Sequence, residues 1–377
     1  MVFSAFQYLS SLTEPYGLTR TLTDVHLCRD RNGTPIYSVG NSAVVFKAMV
    51  GGRICTLRCY TRPKRNLQAI YREQLLRGEL FVYTDDGNGE WCDVVVSDWV
   101  EGVTLQTAIL AALGNSGQMK SLAEQFDALA CDLLAQDWAH GDVKPENIIV
   151  GADGGLHLID FDAMYCPCFT ADDCEESGTR AFQHPDRAEV FGKEIDDYPI
   201  ALISTSLHAL ALNPALWTDD DALPVTPAKA VAGENATLAQ IEQMFAAAGD
   251  AVRYRVARLL RSPQPRLNRL AEFLGYAQQN HAPTDQELHL AEQDGLWGYC
   301  NESGAFAIPP VYDCGFEFGD ERAAVRIGGC WHFIDTAGRV AINCADCDAV
   351  KPFRAGVAEK IIGGRRVKID KNGKEIG

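Results

Sequence analysis

The first hundred residues alternate apolar and polar positions in short runs. Ser42 to Met49, Arg53 to Tyr60 and Cys92 to Trp99 are rich in Val, Ile, Thr and aromatic residues, which suits half-buried strands. Gly51-Gly52, between the first two, predicts a hairpin turn. Between the second and third, Asn66 to Arg77 predicts a helix, with Leu67, Ile70, Leu75 and Leu76 near helical spacing. After Gly102 the pattern becomes mainly helical. Ser121 to Trp138 carries a stripe of Leu122, Phe126, Leu129, Ala130, Leu133 and Leu134, and Ser121 with Glu124 forms a capping-box pattern at its start. Pro199 to Leu212, Leu238 to Ala248, Ala251 to Arg261 and Arg266 to Gln278 predict further helices, with Pro263 and Pro265 between the last two. Gln279 to Gln293 is polar, contains Pro283 and reads as a linker or a connecting helix.

Beyond the linker the chain repeats. Trp297-Gly-Tyr-Cys-Asn-Glu-Ser-Gly304 recurs as Trp331-His-Phe-Ile-Asp-Thr-Ala-Gly338, and again, degenerate, as Arg366-Val-Lys-Ile-Asp-Lys-Asn-Gly373. A fixed period with strand alternation and an Asp/Asn-x-x-Gly turn predicts stacked β-hairpins. The first unit, with Trp297-Gly298, Ile308-Pro309-Pro310 and Tyr312-Asp313, resembles the WG repeats of bacterial proteins. The second unit has His332 in place of the Gly, and the third has Arg366 in place of the Trp, as a capping repeat would. Trp297 and Trp331 are expected in the core. So short an array needs the helical part or another copy to cover its open edge, and packing on the helices before it is expected.

Composition narrows the classes. The 377 residues hold 47% hydrophobic and 23% charged side chains, ordinary for a globular protein. The net charge of −17 repels phosphate backbones, which disfavours nucleic acid as a partner. There is no signal-like N-terminus and no apolar run that would span a bilayer. Thirteen cysteines, odd in number and without a framework rhythm, point to reduced thiols in a cytoplasm. Neither Cys166, Cys168 and Cys174 nor the lone Cys344-x-x-Cys347 supplies a convincing closed zinc site.

The chemistry concentrates at His140-Gly-Asp142-Val-Lys144-Pro-Glu-Asn147-Ile-Ile-Val150, followed by Asp160-Phe161-Asp162. Phosphoryl transfer from ATP needs a carboxylate to orient and deprotonate the acceptor hydroxyl, a cation for the moving phosphoryl group, and oxygen ligands for Mg²⁺. Asp142, Lys144 and Asn147 supply base, cation and metal ligand in one loop. A hairpin from Ile148 to Ile159, turned at Asp153-Gly-Gly155, would return Asp160 as the second metal ligand. The pattern resembles the catalytic loop and metal-binding motif of eukaryotic-like protein kinases, with Gly141 where many have Arg and Asp162 where most have Gly. That resemblance implies Asp142 as general base, Lys144 as phosphate partner, and Asn147 and Asp160 as Mg²⁺ ligands.

Other segments resemble the same family. Asp98-Trp-Val100-Glu-Gly102 resembles the adenine-binding hinge, with Ser97 at the gatekeeper position. Gly178 to Asp186 resembles the end of the activation segment, and Leu259 to Arg266 the late helix pair, which implies an Asp186–Arg266 ion pair. Asp196 or Asp197 is expected to bond the catalytic-loop backbone. In the N-terminal part, Ser38-Val-Gly40-Asn-Ser-Ala43-Val-Val45 resembles the phosphate-covering loop, but only its middle glycine survives. Arg58 stands where the family has its ATP-binding Lys, an exchange that keeps charge but changes shape. Glu73, on the expected Asn66 to Arg77 helix, is the candidate carboxylate for Arg58. With Gly141 the usual receptor for an activation-segment phosphate is missing; Thr170, Ser177 and Thr179 are the hydroxyls available for modification.

The expectation is an α+β, bilobal, protein-kinase-like fold, with a β-rich N-lobe over residues 1–102 and a helical C-lobe over 103–280. A small all-β WG-repeat domain follows over 281–377. The expected activity is that of a bacterial-type Ser/Thr protein kinase using ATP and Mg²⁺, with the repeats docking a protein substrate or signalling partner. A pseudokinase that binds nucleotide or a partner without turnover is the alternative, and a small-molecule kinase of the aminoglycoside or choline type is a third.

Overall fold

The structure, a computed structural model, describes residues 3–84, 86–218, 222–279, 282–284 and 287–376. The chain divides into two compact units. Met1–Val103, His140–Asp142 and Ile149–Ser177 form the first; Thr104–Ala139, Val143–Ile148 and Gly178–Gly377 form the second. The architecture is mixed α+β with several antiparallel sheets.

The first unit opens with helix α1 (Ala5–Thr13), which is not among the expected elements. Ser4 and Gln7 close a capping box at its start, and Tyr8 and Leu12 are buried. Strands β1 (Val25–Leu27), β2 (Tyr37–Val39), β3 (Ala43–Val50) and β4 (Arg53–Tyr60) follow. Gly51 and Gly52 turn β3 into β4 with φ of 55° and 80°, left-handed values that suit Gly and make the tight hairpin the sequence predicts. Next come a five-residue helix α2 (Leu67–Tyr71), strand β5 (Leu75–Tyr83) and strand β6 (Gly89–Asp98). The sheet runs β1-β3-β4-β6-β5, with β2 added beside β3. Phe46, Leu57, Leu80 and Val82 are in its core.

The expected Asn66 to Arg77 helix stops at Tyr71. Arg72 takes φ 50° and the chain passes through one 3₁₀ turn into β5. Leu67 and Tyr71 pack with Leu75 and Val95, so the apolar spacing is satisfied by a short helix followed by a strand. A small sheet of β7 (Gly102–Thr104), β8 (Ile148–Gly151) and β9 (Leu156–Leu158) carries the expected hairpin.

The second unit holds α3 (Leu105–Ala112), α4 (Ser116–Leu134), α5 (Asp197–Leu212), α6 (Pro227–Val231), α7 (Ala236–Ala248), α8 (Ala251–Leu259) and α9 (Leu270–Gln278). Helix α4 begins before the Ser121 and Glu124 pattern, because Asn115 caps it by accepting from the Gln118 N–H. No helix among the described residues is long and apolar enough to cross a membrane.

Two buried acids organise these helices. Asp127 of α4, fully buried, accepts from Ser204 Oγ at 2.6 Å, His208 Nε2 at 2.8 Å and Arg253 Nη2 at 2.6 Å. Asp197 opens α5 and accepts the Leu267 N–H at 3.0 Å. Asp196 beside it is also buried. The implied Asp186–Arg266 pair does not form. Arg266 lies 3.9 Å from Glu194, and the Asp186 N–H donates to His184 Nδ1, a ring held at its other nitrogen by the Ser262 carbonyl.

Burial, with Glu194 and Asp196 nearby, pushes the Asp197 carboxyl up to about 7 against the partial relief of the Leu267 N–H. The folded chain therefore holds this proton more tightly than the unfolded chain does. Its contribution to stability is full below about pH 4, declines as pH rises toward about 7, and is flat beyond. Asp197→Asn is expected to raise the denaturation midpoint at about pH 8 and to leave it nearly unchanged at about pH 4. Urea titrations of both proteins at the two pH values check this.

The C-terminal region is three small antiparallel sheets: β10 (His289–Gln293), β11 (Leu296–Cys300) and β12 (Phe306–Tyr312); β13 (Cys314–Gly315), β14 (Ala323–Ile327), β15 (Cys330–Ile334) and β16 (Val340–Cys344); and β17 (Ala349–Arg354), β18 (Val357–Ile362) and β19 (Arg365–Ile369). Asn301, Asp335 and Asp370 each accept backbone N–H groups two and four residues on, through Oδ1. The same turn is thus built three times. A Cβ on Gly298 would come within 2.6 Å of the Ile308 carbonyl oxygen, where the β11–β12 pairing is irregular. The β15–β16 pairing is regular at His332, so the second unit accepts a side chain there.

That side chain ties the repeats to the helices, since His332 Nε2 meets the Ala246 carbonyl of α7 at 2.8 Å. Burial lowers the His332 pKa, so the neutral ring donates. Asn343 donates to the Ala247 carbonyl, and Arg255 of α8 reaches the Val311 carbonyl and Asp313. The first two repeat units pack on helices that precede them, as expected of the array. Trp297 and Trp331 are half-buried rather than fully in the core. The expected 280/281 boundary lies outside the described residues.

Candidate functional site

In the first unit the site grows from β4. Alternation along the strand puts Arg58 and Tyr60 on one face, with Val45 of β3 and Val95 of β6 directly opposite Arg58. Arg58 Nη1 donates to Asp160 Oδ1 and to Asp162 Oδ2, both at 2.7 Å. Tyr60 and Tyr71 each donate a hydroxyl to Asp162 Oδ1, at 2.8 and 2.6 Å, and Ser42 Oγ is 3.5 Å from Asp162 Oδ2. The Asp162 side chain is 4% exposed, that of Asp160 39%. Burial alone would lower the Arg58 pKa, but Tyr71, Asp160 and Asp162 around it reverse that and leave it raised. Burial likewise raises the Tyr60 and Tyr71 hydroxyls, so both stay protonated donors.

The His140–Asp142 segment lies in the same unit. His140 is fully buried, accepts the Asp142 N–H at Nδ1 and meets the Ile159 carbonyl with Nε2 at 2.9 Å. The proton therefore sits on Nε2. The imidazole also lies against the Phe161 ring. One side chain thus joins the backbone of Asp142 to the residue before Asp160. Asp160 itself takes φ 67°, a left-handed conformation that Asp tolerates better than most residues.

Gly141 has φ 83°, and a Cβ there would overlap the Ala163 carbonyl oxygen. The Arg common in the resembling family has no room at this position. Gly141→Ala is expected to destabilise the chain by at least about 1–2 kcal/mol from backbone strain alone, read as a lower denaturation midpoint.

The segment after Asp162 is held through its own acids by Lys64, Arg65 and Asn66. Lys64 pairs with Glu176 at 2.5 Å, Arg65 with Glu175 at 3.0 Å, and Asn66 Nδ2 with Asp173 Oδ1 at 3.0 Å. Thr170 donates its hydroxyl to Asp173. Carboxylates here occupy the basic groups that a phosphate would otherwise attract.

Gly40 and Ala43 close a tight turn around Asn41 and Ser42, with the Gly40 N–H on the Ala43 carbonyl at 2.8 Å. Asp98 ends β6, exposed, and Val100 follows half-buried. Lys47 fastens the chain after β6 by its ion pair to Glu101 at 2.6 Å. Glu73 does not meet Arg58. It is exposed on the 3₁₀ turn, because the short α2 ends before it and presents Tyr71 instead. In the second unit, Lys144 donates to Thr179 Oγ1 at 2.7 Å. Asn147 is buried at the end of a 3₁₀ turn whose backbone bonds back to Lys144.

Among the described residues no group of three or more His, Cys, Asp or Glu side chains is arranged to hold a metal. Asp160 nevertheless fits Mg²⁺ with nucleotide. Its Oδ2 takes no protein partner among the described residues, and Mg²⁺ binds through one or two carboxylates plus phosphates and water. Tyr60, Tyr71 and Ser42 were not singled out from sequence. The alternation that pairs Arg58 with Tyr60 was the available signal for the first, whereas Tyr71 depends on where α2 stops.

A family model, the WG containing repeat, matches residues 297–331. A search of curated proteins finds no match to the chain.

Proposed function

We propose that the chain is an ATP-dependent protein kinase that transfers a phosphoryl group to a Ser or Thr hydroxyl. The observation that carries this reading is the Arg58–Asp160 contact: a cation on a central strand meets the carboxylate of Asp160-Phe161-Asp162. His140 joins that motif to the loop bearing Asp142. Mg²⁺-ATP, when bound, supplies the phosphoryl donor and the charge that stabilises the leaving diphosphate. Asp142 orients the acceptor hydroxyl and takes its proton. Lys144 would meet the phosphoryl group, Arg58 would bind the non-transferred phosphates, and Asn147 and Asp160 would be the metal ligands. The main chain at Asp98 to Val100 receives the base. The WG repeats dock the protein acceptor or a signalling partner.

One observation favours a second reading, a nucleotide-binding pseudokinase. Arg58 is already held by two carboxylates, and a planar guanidinium is a poor substitute for a compact ammonium at a triphosphate. Incubation with γ-labelled ATP, Mg²⁺ and a generic acceptor protein separates the two. The kinase reading expects label on protein that Asp142→Asn abolishes. ATP-dependent thermal stabilisation without transfer, under any divalent metal, would instead establish the pseudokinase. Transfer to an amino-alcohol alone would move the reading to small-molecule substrates.

A further inference from the structure

We propose that Asp162, anchored by Tyr60 and Tyr71, is the positioning residue for Arg58 and sets its guanidinium for a nucleoside triphosphate. This rests on the phosphoryl-transfer reading and names the carboxylate on which that reading depends, in place of Glu73.

The two acids that meet Arg58 are built differently. Asp162 is 4% exposed at its side chain and uses both oxygens, Oδ1 for the two tyrosine hydroxyls and Oδ2 for Arg58. Its two tyrosine bonds and its burial leave it little freedom to leave Arg58. Asp160, 39% exposed, gives Arg58 only Oδ1. An arriving divalent cation would take Asp160, and the Arg58 charge would still be matched by Asp162. The guanidinium Nε and Nη2 take no protein acceptor among the described residues, which leaves two donors in a fixed fork for phosphate oxygens. A glycine in place of Asp162 would leave the buried Arg58 charge without this partner, because Glu73 lies exposed on its turn. The residue that departs from the resembling motif and the residue that replaces its lysine are thus partners.

The test has two arms on the full chain. Without nucleotide, urea denaturation of Arg58→Met, Asp162→Asn and Glu73→Gln, singly and in pairs, is expected to show non-additive effects for Arg58 with Asp162 and additive effects for Arg58 with Glu73. Calorimetry then compares a Mg²⁺-bound, non-hydrolysable ATP analogue with adenosine. Asp162→Asn is expected to weaken the analogue about tenfold and adenosine not at all. Tyr71→Phe, a milder change, should shift the analogue in the same direction by less. Coupling to Glu73 instead of Asp162, or equal losses for both ligands, would overturn the proposal. If the wild type couples Arg58 to Asp162 but does not bind the analogue, the ion pair stands while the phosphoryl-transfer reading and the positioning role both fall.

Discussion

Asp142→Asn is expected to lower the phosphoryl-transfer rate by about a hundredfold or more, with ATP affinity held within about threefold. Asn keeps the size and hydrogen-bonding reach of the side chain but cannot take a proton. The loop survives the change because it is fixed by the backbone. His140 accepts the Asp142 N–H and meets the Ile159 carbonyl, neither of which involves the carboxylate. A loss confined to kcat is the signature of an interaction made in the transition state, whereas a rise in KM alone would mark Asp142 as a binding residue. Steady-state kinetics at saturating and limiting ATP distinguish the two.

Asp127→Ala is expected to destabilise the chain by about 3–5 kcal/mol, the range for removing one member of a buried charge pair. The substitution leaves the Arg253 guanidinium, itself buried on α8, without its 2.6 Å partner. It also removes the acceptor for Ser204 and His208 of α5. Burial would raise the Asp127 pKa, but His208, Arg253 and Ser204 lower it below its ordinary value. The folded chain therefore releases this proton more readily than the unfolded one. Its stabilising contribution is present above about pH 4 and is lost as pH falls further. Denaturant titration at neutral pH measures the main effect. The gap between wild type and variant should narrow in acid.

Local chemistry made much of the fold legible. The Gly51-Gly52 hairpin, the β3 and β4 strands and the thrice-repeated Asp/Asn-x-x-Gly turn followed from residues whose conformational needs are specific. Helix α1 is capped by Ser4 and Gln7, but its apolar residues do not form one clean stripe, since Phe6 is exposed while Ser11 is buried. Strand β5 was hidden within an expected helix: Leu75 and Leu76 fit either period, and only the left-handed turn at Arg72 decides between them. The capping-box pattern at Ser121 lies inside helix α4, whose start is capped by Asn115.

At the candidate site, the residues on strands and in the motif were visible in sequence, but their partners were not. Arg58 and Asp160 were identifiable individually. That Asp162 rather than Glu73 answers Arg58 depends on α2 being five residues long, which apolar spacing does not reveal. Gly141 was visible as a departure, yet its steric reason lies in the Ala163 carbonyl.

The most direct measurement is a crystal structure of the full chain with Mg²⁺ and a non-hydrolysable ATP analogue. The triphosphate is expected against the Arg58 fork, with the metal on Asp160 Oδ2 and Asp162 still bonded to Arg58, Tyr60 and Tyr71. An analogue bound away from Arg58, or Asp160 remote from any metal in the presence of bound nucleotide, would contradict the account.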